Sequence, residues 1–329
     1  MAKIQRKIWA LLFCFLLLSA VFPLHAAAEE KRLVPGGELF GIRLDPGGLL
    51  ISSVKEVQSE SGAVSPGRDA GLLPGDLLKA ANGSPLKTAS DLSRLVAKGK
   101  PIELEGTRGE TAFHVTLFPA KEKGGSYLAG IWVRQGASGI GTVTFFDPET
   151  GILCGLGHGI LDSESCALFP AESGTVHPAR IDSLVKGQKG APGEVRGVLE
   201  KEITGRVLSN RKTGVSAAAE KMVEGEAIPV ASKEEVAVGP AQLLWAPYGE
   251  KHAYEVQIEE ICDPEGDSKN MIVCVTDPAL LEITGGIVQG MSGSPLIQNG
   301  KLIGAVTHVL VHDPSRGYGI FLENMLSSL

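Results

Sequence analysis

A mainly β fold is predicted by three features of the sequence. The 329 residues include 42 Gly and 19 Pro, together well above the usual share of about 12%, so turns are frequent. The apolar segments are short and rich in Val, Ile and Thr, as at residues 141–146, 269–276 and 301–308, which is the composition of strands bounded by turn residues. Helical patterning is confined to residues 89–97, 213–224 and 321–326. Hydrophobic residues make up 43% and charged residues 21%, a globular balance, and the length suits about two domains of ~150 residues each.

The elements follow in order. Lys3, Arg6 and Lys7 precede an uncharged, mostly apolar run over residues 8–24 and then Ala26-Ala27-Ala28. This is the pattern of a signal peptide with a small-residue cleavage site. The run is also about as long as the shortest membrane-spanning helices, so residues 1–28 are predicted to be a signal peptide or, if uncleaved, a membrane anchor. Either places the remainder outside the cytoplasmic membrane. Residues 29–37, charged and ending in Pro35-Gly36-Gly37, and residues 121–126, Lys-Glu-Lys-Gly-Gly-Ser, have linker composition. They divide the rest into a first domain, 38–120, and a second, 127–329.

Charge and cysteine content exclude some functions. The net charge is −7 and no basic stripe is present, which argues against nucleic acid as a partner. Beyond the export segment stand Cys154, Cys166, Cys262 and Cys274, an even number compatible with disulfides or with free thiols in an exported chain. No ligand spacing points to a metal, and no cofactor is expected.

In the first domain, Arg68-Asp69-Ala70-Gly71-Leu72-Leu73-Pro74-Gly75-Asp76-Leu77-Leu78 is followed by Ala80-Ala81-Asn82-Gly83-Ser84-Pro85-Leu86 and by Thr88-Ala89-Ser90-Asp91-Leu92. This reads as a Pro-Gly-Asp turn, a strand, an Asn-Gly turn, a second strand and a capped helix. The succession resembles the PDZ domain of bacterial exported proteases. The resemblance implies a carboxylate-binding loop at Leu39, Phe40, Gly41 and Ile42, with the helix at 89–97 as the other wall of a groove in which a peptide adds a strand. A PDZ domain that only packs against its neighbour is the alternative.

In the second domain, Gly290-Met291-Ser292-Gly293-Ser294-Pro295 embeds a serine in a tight glycine turn. Glycine permits positive φ and close approach of a substrate. The N–H groups of Gly290 and Ser292 can then converge on one point as an oxyanion hole. The hairpin that follows, turning at Asn299-Gly300, resembles the second barrel of chymotrypsin-like serine proteases, implying a double β-barrel. A nucleophilic serine needs a base. Of His158, His177, His252, His308 and His312, His158 is the best placed by context, between Gly157 and Gly159 in an otherwise apolar segment. His177 has the setting of a surface residue, and His308 that of a cleft wall.

Taken together, Gly155-Leu156-Gly157-His158-Gly159-Ile160, the segment from Thr284 through Ser292 to Pro295, Gly304-Ala305-Val306-Thr307-His308 and Gly317-Tyr318-Gly319-Ile320 resemble the stage IV sporulation protein B family. That resemblance implies an exported, self-cleaving serine endopeptidase acting between the spore and mother-cell membranes. Its substrates would be its own N-terminal region and a membrane-bound regulator of an intramembrane protease that matures a sigma factor. It also implies a catalytic pair at Ser292 and His158, and a third catalytic residue at Asp277. On topology alone the orienting acid comes from the first barrel, which keeps Asp162 and Asp182 open, and Asp277-Pro278 is equally the start of a turn. A general envelope quality-control protease and a non-catalytic PDZ adaptor are the alternative functions.

Overall fold

The computed structural model describes residues 30–221 and 224–329. The expected signal or anchor at 1–28 lies outside the described residues. Two closed barrels with the same winding carry the chain. In the first, strands Leu39–Asp45, Ala137–Asp147, Ile152–Gly155, Ser173–Val185, Gly205–Arg211 and Gly214–Ala219 close a ring by antiparallel pairing. In the second, Gly239–Trp245, His252–Ile261, Met271–Val275, Pro295–Gln298, Lys301–Leu310 and Asp313–Phe321 do the same. Numbered along the chain within each barrel, both rings run one-two-three-six-five-four. This repeated Greek-key winding is the double barrel of the chymotrypsin-like fold.

Closure follows from the side-chain pattern. Inward residues fill each barrel, and closure leaves no open sheet edge. Phe40, Ile42, Val143, Val176 and Val215 form the first core. Leu243, Trp245, Ile258, Val273, Leu296 and Val306 form the second. Each such side chain, fully buried, is worth ~1.5–3 kcal/mol.

The PDZ domain does not precede the first barrel; it interrupts it. Leu39–Asp45 and Ala137–Asp147 are adjacent strands, in register from Leu39 with Thr142 to Leu44 with Ala137. The domain occupies the turn between them. Its sheet runs Ile131–Arg134, Leu49–Val54, Leu77–Ala81, Ile102–Arg108, Thr111–Leu117, and helix Ala89–Val96 packs on it with a capping box between Thr88 and Asp91. It also packs on the barrel: Leu50 and Leu77 share a core with Phe40, Ile42 and Leu44. Lys79 pairs with Glu172 at 3.5 Å.

Four expectations are corrected by this topology. The first domain does not span 38–120, because Leu39–Asp45 pairs on both sides with barrel strands and the PDZ sheet continues to Arg134. The linker expected at 29–37 is instead largely strand where it is described, since Arg32–Pro35 pairs with Ala137–Asp147 and with Ile228–Pro229. Residues 121–126 belong to a small hairpin, Ala120–Lys121 with Tyr127–Leu128, whose turn is 122–126. The helix expected at 213–224 gives way to a strand: Gly214–Ala219 is the sixth strand of the first barrel, where pairing on two sides overrides the helix propensity of its alanines. The helix at the C-terminal end is present as Leu322–Leu326. Cys154, Cys166, Cys262 and Cys274 are all free thiols, and burial pushes Cys154 up to about 12.

An insertion and a preceding domain give opposite deletion phenotypes. Replacing residues 46–135 with an Asn-Gly turn should give a soluble chain that unfolds cooperatively and keeps its β-type circular dichroism. Deleting 38–120 removes a barrel strand and should give an aggregated chain. Equal solubility of the two variants would contradict the insertion.

Candidate active site

Ser292 stands in a loop between the helix Pro278–Thr284 and the strand Pro295–Gln298. The helix ends on Gly285 in the left-handed region, φ 74°, as helix C-termini commonly do. From there five successive carbonyls are held away from the cleft. Val195 N–H donates to Gln289 O at 2.7 Å, and Ser294 N–H to Met291 O at 2.9 Å. Thr142 Oγ1 donates to Gly290 O and Thr142 N–H to Ser292 O, both at 2.9 Å. Thr144 Oγ1 donates to Gly293 O at 2.8 Å. The intervening N–H groups of Gln289, Met291 and Gly293 donate to Gly193, Val288 and Val306. Between Gln289 and Ser294 the N–H groups of Gly290 and Ser292 are the two with no acceptor among the described residues. Gly293 is required where it stands: its φ is +97°, and a Cβ would lie 2.0 Å from Thr142 O.

His158 enters from the other barrel. Strand Ile152–Gly155 ends at Leu156, whose φ of 70° is unusual for a branched residue, and Gly157 follows at φ +66°. A Cβ on Gly157 would touch Thr307 and Ile320 of the second barrel. Gly157 therefore lets the loop press against the second barrel and the imidazole lean across the interface. Its Nδ1 lies 3.0 Å from Gly159 O. This carbonyl accepts only from a protonated Nδ1, which leaves the Nε2 lone pair free. Burial pulls the His158 pKa below its ordinary value, against the opposing pull of the Gly159 carbonyl.

The two residues line one cleft of about 400 Å3, walled by Ile140, Leu156, Ile287, Val288, Val309 and Val311. Ser292 Oγ donates to Thr307 O at 2.6 Å, not to His158. His308 closes the lip with its ring centroid 4.9 Å from that of His158. Desolvation, then His158 and Lys269, draw the His308 pKa down to about 4, so both rings are neutral near pH 7.

No carboxylate is bonded to His158 among the described residues. Asp277 is spent elsewhere: Oδ1 accepts from Ala279 N and Leu280 N at the start of the helix Pro278–Thr284, and Oδ2 from Glu255 N. It is an N-cap, the role that Asp before Pro commonly plays. Asp162 is buried and ion-paired with Arg134 at 2.9 Å. Burial opposes its charge, but donors from Ser165 and Glu164 together with Arg134 hold its pKa below the usual range. Asp182 is exposed on Ser173–Val185. His177, expected at the surface, is buried with both ring nitrogens engaged, by Thr175 and by Glu202 O.

Leu39, Phe40, Gly41 and Ile42 form no carboxylate loop. They lie inside the barrel sheet, where a Cβ on Gly41 would meet Leu199 at 2.2 Å. The pattern Leu-x-Gly-Ile recurs at Leu128-Ala129-Gly130-Ile131, and there it opens the free edge strand of the PDZ sheet, Ile131–Arg134. Ala89 N, in the first turn of the helix Ala89–Val96, donates to Gln135 Oε1 just beyond that strand. The repeated tetrapeptide was the signal in the sequence for this edge.

A model of the family described as SpoIVB peptidase S55 matches residues 125–326. Three solved structures are similar. The PDZ domain of the SdrC-like protein from Listeria monocytogenes is 19% identical, with 26% of this chain and 87% of that chain covered, at a TM-score of 0.21. The active form of the Rv3671c protease from M. tuberculosis is 16% identical over 58% of this chain and 72% of its own, TM-score 0.33. The HtrA-type protease AlgW with tripeptide is 13% identical over 58% and 54%, TM-score 0.35. No curated protein matches the chain.

The two roles for Asp277 separate cleanly. As a helix cap, Asp277→Ala should lower stability by ~1 kcal/mol and leave the rate at which Ser292 reacts with a fluorophosphonate within about threefold of the parent. An orienting acid would instead cost ~10⁴-fold, measured on protein shown to be folded by calorimetry.

Proposed function

As a member of the SpoIVB peptidase S55 family the chain is a serine endopeptidase, and we propose that it is the exported, self-cleaving peptidase of a sporulation signal. In this reading it cuts its own N-terminal region and a membrane-bound regulator of an intramembrane protease, in the space between forespore and mother cell. Family membership supports the role. The export pattern at residues 1–28 and the cleft lined by Ser292 and His158 support it further.

One observation carries the chemistry: a serine, a histidine with a free Nε2, and two unspent N–H groups meet at the seam of two barrels. Ser292 Oγ leaves Thr307 O, passes its proton to His158 Nε2 and attacks the scissile carbonyl. The oxyanion is met by the N–H groups of Gly290 and Ser292. His158 then protonates the leaving amine, and water repeats the sequence on the acyl-enzyme. Gly159 O fulfils the tautomer-setting part of a triad acid. The apolar walls select a substrate presenting an aliphatic side chain. The PDZ edge strand Ile131–Arg134 takes an extended peptide by strand addition.

Ser292→Ala in the full chain should abolish self-cleavage, and in an endospore-forming host should leave the pro-sigma factor unprocessed. Discrete cuts with unfolded casein left intact support the signalling role over general quality control. Self-cleavage undiminished in Ser292→Ala would overturn the peptidase chemistry, and a parent chain with no self-cleavage at all would favour a non-catalytic adaptor.

The pH profile reports on His158. A pKa lowered by burial keeps the base neutral to lower pH, so activity present at pH 7 is lost only as pH falls through that value. On a peptide substrate with an aliphatic residue before the scissile bond, the acid limb of kcat/KM should have its midpoint below 6.5. A midpoint above 7 would mean that a carboxylate stabilises the imidazolium.

A further inference from the structure

We infer that Thr142 is a positioning residue of the oxyanion hole, setting from the first barrel the backbone of a loop in the second. The inference rests on the serine-peptidase reading above and deepens it.

Thr142 is fully buried in the middle of Ala137–Asp147. Three of its polar groups reach the site. The hydroxyl donates to Gly290 O at 2.9 Å, and the N–H donates to Ser292 O at 2.9 Å. The carbonyl accepts from Leu156 N at 3.2 Å, two residues before His158. The residue thus touches the nucleophile loop twice and the base-bearing loop once.

A peptide unit is planar, with its C=O and N–H on opposite sides. Gly290 stands between two such units. The unit before it is set by Val195 N–H on Gln289 O; the unit after it is set by the Thr142 hydroxyl on Gly290 O. Gly290 has φ +103° and no side chain, so its backbone can turn readily. Without the hydroxyl, Gly290 O is a buried acceptor lacking its donor. The 290–291 unit links the one before it, which bears the Gly290 N–H, to the one after it, which bears the Ser292 N–H, so its rotation to find another partner changes the angle between the two donors. The strand on which Thr142 sits cannot shift with the loop, because it is paired with Leu39–Asp45 and Ile152–Gly155.

The test compares Thr142→Val, which keeps shape and loses the donor, with Thr142→Ser, which keeps the donor. Kinetics use a peptide substrate, and binding uses a peptide aldehyde, which adds to Ser292 and places an oxyanion in the hole. Thr142→Val should lower kcat ~10–100-fold, at or below the effect of deleting one oxyanion donor, with KM within about threefold. The aldehyde Ki should rise by the same factor as kcat/KM falls, as expected for a lost transition-state contact. Thr142→Ser should stay within threefold of the parent on all three measures. Parent-like kinetics in Thr142→Val, or a loss that Thr142→Ser shares, would overturn the inference. Ser292→Ala assayed alongside distinguishes the two failures: activity surviving in Ser292→Ala defeats the peptidase reading itself, whereas its loss beside a parent-like Thr142→Val defeats only the role of Thr142.

Discussion

The strand Ala137–Asp147 is the constraint on which the molecule depends. It is a wall of the first barrel, yet Thr142 and Thr144 hydrogen-bond to Gly290, Ser292 and Gly293 of the second. Two barrels that merely touched would leave the nucleophile loop to its own glycines, which have little conformational preference. Here each carbonyl from Gln289 to Gly293 has an assigned donor, and the glycines supply the dihedral angles such crowding requires. Pre-organisation of this kind is where electrostatic catalysis is thought to gain most, because donors aimed before the reaction need no reorganisation during it.

The same strand is the return path from the PDZ domain, whose last strand ends at Arg134, three residues before Ala137. Inserting a domain into a hairpin turn costs little when the turn is at the surface and the flanking pair is strong. What it adds is covalent continuity on both sides: Leu39–Asp45 leads into the PDZ domain and Ala137–Asp147 leads out to the nucleophile loop. Leu50 and Leu77, buried with Phe40 and Ile42, make this more than a flexible tether. A peptide added at Ile131–Arg134 would lie on the strand nearest in sequence to that path.

How much of this the sequence disclosed depends on range. The glycine-flanked His158 and Ser292 were legible because the requirement is local: close backbone approach demands glycine wherever the chain goes next. The mainly β class and the helix Ala89–Val96 were legible for the same reason, through alternation and the capping pair Thr88 and Asp91. Domain order was not. Strand pairing between Leu39 and Thr142 spans the whole PDZ domain, and no local feature marks it. The two Leu-x-Gly-Ile segments are alike in composition, and only pairing on both sides, with Leu199 over Gly41, consigns the first to the barrel. Asp277 shows the converse. Its local context, Asp before Pro, reads as the start of a turn; in the structure the same pair caps a short helix not expected from the sequence, and Asp277 hydrogen-bonds to backbone N–H groups, none of them to His158.

Among the described residues the site is arranged more like a dyad than a triad, and the energetics of such an arrangement differ accordingly. In a triad the buried acid performs two tasks: it selects the tautomer and stabilises the imidazolium. Gly159 O performs the first, since only Nδ1–H can donate to it. It performs the second weakly, because a neutral carbonyl offers a partial charge where a carboxylate offers a full one. Burial of His158 makes the deficit larger, as the charged form is disfavoured in the cleft. Ser292 adds a further step, for its hydroxyl rests on Thr307 O and must exchange that hydrogen bond, worth ~1 kcal/mol net, for one to His158. A protease that must degrade indiscriminately gains nothing from such restraint. One that makes a few cuts at a set moment, as proposed above, would gain from it, because a resting hydroxyl held by Thr307 O must be displaced before it can react.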